Sequence, residues 1–135
     1  MGRILHSAVL MILMAGSSPL AEGIWGGPGI QMTVGPQGAV LDLDCANGAI
    51  DGPVTVGSDG RFRATGTYAV EHGGPMREGP EGDETKGRPA VYEGRVEGKK
   101  LTLVITLTGE LTGEKEELGT YELTQGRSGR IMKCM

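Results

Sequence analysis

Between its glycines the chain alternates. Ala39-Val40-Leu41-Asp42-Leu43-Asp44-Cys45 sets Leu41, Leu43 and Cys45 on one side and both aspartates on the other. Phe62, Ala64, Gly66, Tyr68 and Val70 interleave with Arg61, Arg63, Thr65, Thr67 and Ala69. Leu101, Leu103, Ile105 and Leu107 interleave with Thr102, Val104 and Thr106. A period of two sends successive side chains to opposite faces of a pleated strand, so each stretch has one buried and one wetted face. No stretch of similar length carries an apolar stripe at helical spacing. The pattern predicts an all-β fold.

Strands are expected over residues 30–34, 39–45, 54–56, 61–71, 90–96, 100–108, 118–124 and 130–134. The connectors between them carry turn chemistry: Gly35-Pro36-Gln37-Gly38, Ala46-Asn47-Gly48, Gly57-Ser58-Asp59-Gly60 and Glu97-Gly98-Lys99. Glycine and asparagine accept the positive φ such turns need, and proline presets φ near −65°. Short connections make successive strands antiparallel neighbours. Eight of them can close into a small antiparallel barrel that hides its edges. A two-sheet β-sandwich is the alternative. An immunoglobulin-type sandwich fits less well, because Trp25 precedes both cysteines instead of lying between them.

The first 21 residues read differently. Arg3 precedes an apolar core from Ala8 to Ala15, followed by Gly16-Ser17-Ser18-Pro19-Leu20-Ala21. Charged, then apolar, then small is the order of a secretory signal, and the apolar run is far shorter than the ~20 residues of a membrane-spanning helix. The organisation expected is a signal peptide over 1–21 and one domain over 22–135. Cleavage is expected after Ala21, with Ser17 as the alternative because Pro19 fits poorly at the −3 position. The protein is then exported to the periplasm or beyond, without stable membrane insertion.

Export changes how charge and cysteine are read. The chain has 13 basic and 17 acidic side chains. Arg3 is the only one of them within the first 21 residues, so the exported domain carries about −5 at neutral pH. That disfavours nucleic acid, which selects basic patches. In an oxidising compartment Cys45 and Cys134 are expected to form one disulfide. It would pin the C-terminus to an early strand and close almost the whole domain into one loop.

Candidate chemistry is sparse. Beyond residue 21 the only histidine is His72, and the serines are Ser58 and Ser128, both in glycine-rich turns and not at a nucleophile elbow. One imidazole with scattered carboxylates falls short of a zinc ligand set. Asp42 and Asp44 read as a wetted face balanced by Arg61 and Arg63 on another strand. No metal and no cofactor is expected. His72 continues the inward row of Phe62, Tyr68 and Val70, while Glu71 faces out. The imidazole is thus expected at the barrel rim, where a long charged connector begins at residue 73 and runs to residue 89. A second connector spans 109–117. The expected binding set is His72, Glu71, Trp25 and Tyr68, with Arg77 from the long connector. Gly66-Thr67-Tyr68 and Gly119-Thr120-Tyr121 echo each other without their strands matching.

Two resemblances add to this. Gly23-Ile24-Trp25 resembles the first lipocalin motif, in which the tryptophan plugs one barrel end beneath a basic residue from the last strand. That resemblance implies a lipocalin- or calycin-like barrel, with Lys133 or Arg130 in the basic role. More of the chain is similar to a family of small exported bacterial β proteins with no assigned activity. Trp25-Gly26-Gly27, Asp44-Cys45-Ala46-Asn47-Gly48, Gly60-Arg61-Phe62, Gly66-Thr67-Tyr68, Glu71-His72-Gly73-Gly74-Pro75, Tyr92 to Gly98 and Lys133-Cys134 carry that similarity. It implies export and no particular reaction. The function expected is a non-catalytic module that binds a small apolar ligand or a polypeptide. An inhibitor of a secreted protease and an enzyme using Glu71 and His72 are the alternatives. Oligomeric state is left open.

Overall fold

The computed structural model describes residues 16–71, 87–109 and 115–134. Alternation becomes ten strands: β1 (Ser17–Pro19), β2 (Gly23–Gly27), β3 (Ile30–Gly35), β4 (Gly38–Leu43), β5 (Ala46–Asp51), β6 (Thr55–Gly57), β7 (Arg61–Val70), β8 (Arg88–Glu97), β9 (Lys100–Thr108) and β10 (Lys115–Gln125). Eight of them form a closed antiparallel barrel in the order β10-β2-β3-β4-β5-β7-β8-β9, while β1 and β6 pair separately. The barrel, and not the sandwich, is the fold. Each strand pairs with the next in the barrel order, and closure comes from the last strand meeting the first. That seam is short, with only Thr124 opposite Gly26 and Gln125 opposite Trp25.

Strand membership differs from expectation in five places. β1 is an unexpected strand, and residues 54–56, expected in the barrel, fall at β6, which pairs with β1 outside it. Residues 130–134 form no strand; Arg130 makes one isolated bridge to Pro28. Ala46-Asn47-Gly48, expected as a turn, opens β5, with Asn47 opposite Asp42 and Gly48 opposite Leu41. The turn is Asp44-Cys45, and Cys45 takes φ 54°. Gly48 serves packing instead, since a Cβ there would collide with the Tyr92 hydroxyl. β2 was not expected because Gly26 and Gly27 leave no alternation to read. They are glycines because other backbones pass over them. A Cβ on Gly26 would strike the Arg127 carbonyl, and one on Gly27 the Glu122 carbonyl.

The inward rows make the core. Trp25, Ile30, Met32, Leu41, Leu43, Tyr92, Leu101, Leu103, Ile105 and Leu123 are all fully buried, and each such side chain contributes about 1.5–3 kcal/mol of transfer free energy. Tyr92 crosses the interior to donate its hydroxyl to the Thr67 carbonyl (2.5 Å). Phe62 fills the space beneath Gly94, where a Cβ would meet its ring.

The two barrel ends are unlike. At the lower end, where the β3–β4 and β8–β9 turns lie, β1 and β6 fold across the opening. Leu20, Val54 and Val56 are buried there. The Leu20 amide donates to the Val54 carbonyl (2.9 Å), and the Trp25 indole N–H donates to the Ala21 carbonyl (2.9 Å). After β10 the chain becomes a strap along the outer wall. Arg130 donates to the Gly27 carbonyl (3.1 Å) and accepts from the Gly29 amide (2.8 Å), and the Cys45 amide donates to the Met132 carbonyl (3.1 Å). The strap ends at the upper rim in the Cys45–Cys134 disulfide, as expected, joining residues 89 apart.

Candidate functional site

Among the described residues, the upper end, from which the connectors after β7 and β9 leave, is the open one. Inward rows that are fully buried lower down surface here as Tyr68 on β7 and as Leu118 and Tyr121 on β10, all half-buried against the core. Val70 is 40% exposed at the same rim. Burial pushes the Tyr68 hydroxyl above the usual tyrosine range, and the nearby Tyr121 and Glu116 push it further. Burial likewise raises Tyr121, with Asp44 on the β4–β5 turn adding to it. Both phenols therefore stay protonated in any physiological medium. They are neutral donors on an apolar platform.

One wall of this opening is incomplete. Among the described residues, only Thr124 and Gln125 of β10 pair with β2. Among the described residues, 115–121 have no strand partner on that flank, although β9 pairs with them on the other, while at Glu122 the Gly27 backbone already closes against the carbonyl. Glu116 and Glu117 lie along this stretch and Glu122 just past its end, and a register shift between Glu117 and Gly119 twists it. A bulge and charges are the usual protection of an exposed edge. The rim therefore combines two phenols, an apolar floor, a strand edge and acidic charge.

Glu71 sits on the outside of the rim, as the alternation implies, and is engaged. Its carboxylate accepts from Asn47 Nδ2 (2.8 Å) and Lys133 Nζ (3.0 Å). Those two hydrogen bonds, Asn47 first, hold it below the ordinary glutamate value. Lys133 also reaches Asp42 (3.5 Å) and the Ala46 carbonyl (3.3 Å). Partial burial alone would lower its ammonium group, but pairing with Glu71 and Asp42 outweighs this and raises it. The aspartates are thus balanced by the strap and not by Arg61 and Arg63. Asp42 meets Lys133, and Asp44 accepts from the Met132 amide (2.7 Å). Arg63 instead faces Glu93 (4.0 Å).

His72 and Arg77 lie outside the described residues, as does most of the connector that was expected to begin at residue 73. Of the expected binding set, Tyr68 is at the open rim, Glu71 is on its outer wall and Trp25 is fully buried. Lys133 does not cover the tryptophan; it is held at the upper end, while the Trp25 N–H faces Ala21 near the lower. Sequence reasoning did not single out Tyr121, Leu118 and Glu116 as site residues. The signal was the repeated Gly-Thr-Tyr, whose two tyrosines the closed barrel brings near each other.

Elsewhere on the outer wall, a shallow groove of about 540 Å³ runs between Arg61, Arg63, Arg95 and Thr102. Arg61 and Arg95 are direct cross-strand partners, but Glu93 and Glu97 neutralise the neighbourhood. Among the described residues no group of three or more His, Cys, Asp and Glu side chains is placed to hold a metal ion, and no helix is long and apolar enough to cross a membrane. The disulfide fits a non-cytoplasmic environment. No protein-family model, no curated protein and no solved structure matches this chain.

Proposed function

We propose that this is an exported, non-catalytic binding module, and that its partner is an extended polypeptide with basic side chains held at the upper rim. One observation carries the reading. The described interior is taken up by side chains, so that even a methyl group on Gly48 or Gly94 would collide with Tyr92 or Phe62. At the rim, Tyr68, Leu118 and Tyr121 remain half-exposed beside a strand edge that has no partner among the described residues. A strand added along residues 115–121 would gain main-chain hydrogen bonds there, the mode of peptide capture by edge pairing. Tyr68 and Tyr121 would supply the contact area that aromatic anchors bring to interfaces. Glu116, Glu117 and Glu122 select positive charge.

A lysine-rich decapeptide with alternating valine and threonine serves as the probe, with fluorescence polarisation as the readout. Binding is expected to the wild-type protein, to weaken at least tenfold in Tyr121→Ala and in the Glu116→Lys/Glu117→Lys double variant, and to persist in Glu93→Lys. A fluorescent fatty acid binding stoichiometrically, with the peptide ignored, would replace the polypeptide by a small apolar ligand. Peptide binding indifferent to all of these changes would remove the rim as the site.

A further inference from the structure

Ser17–Pro19 and the two residues after it belong to the segment expected to leave with the signal peptide, yet they are built into the fold. β1 pairs with β6 through Ser17 and Gly57, Ser18 and Val56, and Pro19 and Thr55. Leu20 is only 4% exposed, and its amide is bonded to Val54 (2.9 Å). The Ala21 carbonyl is the acceptor of the tryptophan N–H (2.9 Å). Cleavage after Ala21 would strip the cover from Val54 and Val56 and leave a buried indole donor without its partner. Such a loss is costly, because a buried polar group keeps its desolvation penalty when its hydrogen bond is removed.

We propose that the chain is cut between Ser17 and Ser18, and that residues 18–21 remain on the mature protein as the plug of the lower barrel end. This inference rests on the export reading above. A signal peptidase reads small side chains at −1 and −3. Ala15-Gly16-Ser17 supplies both, whereas cleavage after Ala21 would put Pro19 at −3. Cleavage acts on the extended chain during translocation, before the barrel closes, so burial of Leu20 in the folded protein does not shield the bond. The cut costs the fold one β1–β6 residue pair, Ser17 with Gly57, and keeps the other two. The leader thus ends one residue into β1.

Amino-terminal sequencing of the exported protein, expressed as the full 135-residue chain, is expected to begin at Ser18. Ser17→Leu should block processing, and Ala21→Leu, at an exposed position, should leave it unchanged. Refolded, oxidised chains starting at Ser18 and at Glu22 should differ, the shorter melting roughly 5–15 °C lower. An exported protein beginning at Glu22 would overturn the site, and equal melting of the two chains would overturn the plug, each leaving export intact. An unprocessed chain in the cytoplasm would overturn both.

Discussion

Phe62 and Leu101 leave no room for a methyl group on Gly94. Gly94→Ala is therefore expected to cost about 1–3 kcal/mol through overpacking, measured by urea denaturation. Phe62→Leu in the same chain should recover part of that loss, so the two changes should not add. Additive losses would mean that Gly94 is needed for its backbone and not for the ring. This pairing illustrates what single residues let one read. The inward rows of β7 and β9 were legible because large apolar side chains alternate with polar ones. Gly48, Gly66 and Gly94 carry no hydrophobic signal, although each lies on an inward row where a neighbour takes the space. Gly66 lets β7 press against the Ala49 carbonyl of β5. Asn47-Gly48 misleads for the same reason: the pair is the strongest short turn signal, but here Tyr92 needs the glycine and Glu71 the asparagine.

At the scale of elements, the C-terminal strap is the part that local patterning could not reveal. Its residues alternate weakly, and it is held by contacts with segments far back in the chain: Gln31 with Gly129, Asp44 with Met132, and Lys133 with Asp42 and Glu71. The disulfide at its end was legible from the cysteine count and the expected compartment alone, and a loop of this length is worth about 4–5 kcal/mol in the chain-entropy account. Acid should test the polar part of the strap. Because Glu71 is held below its ordinary value in the folded protein, its contribution is fully present above the unfolded glutamate value of about 4.3. It is lost as pH falls through the lowered folded value. Exchange protection of the Cys45 and Glu71 amides should therefore fall as the pH drops below the ordinary glutamate value of about 4.3. Glu71→Gln should flatten that dependence. A wild-type profile identical to that of the variant would show that the strap does not depend on the carboxylate. The effect should be modest, since a pair this near solvent is screened.

For the whole molecule, closure runs between the two ends of the domain. β2, among the first strands, receives its second neighbour only from β10, the last, through two residue pairs. A chain delivered amino-terminus first must hold β2 to β9 as an open sheet until β10 is present, and non-local pairing of this kind is slow. The chain has one tryptophan, and it sits at that seam, opposite Gln125. During refolding of the oxidised protein, the blue shift of its emission should trail the far-ultraviolet signal of strand formation. Coincident signals would indicate a barrel that closes as its sheet forms. Nature has in effect placed a fluorophore at the clasp, so the hour at which the cylinder locks can be watched in the unmodified protein, with no label attached.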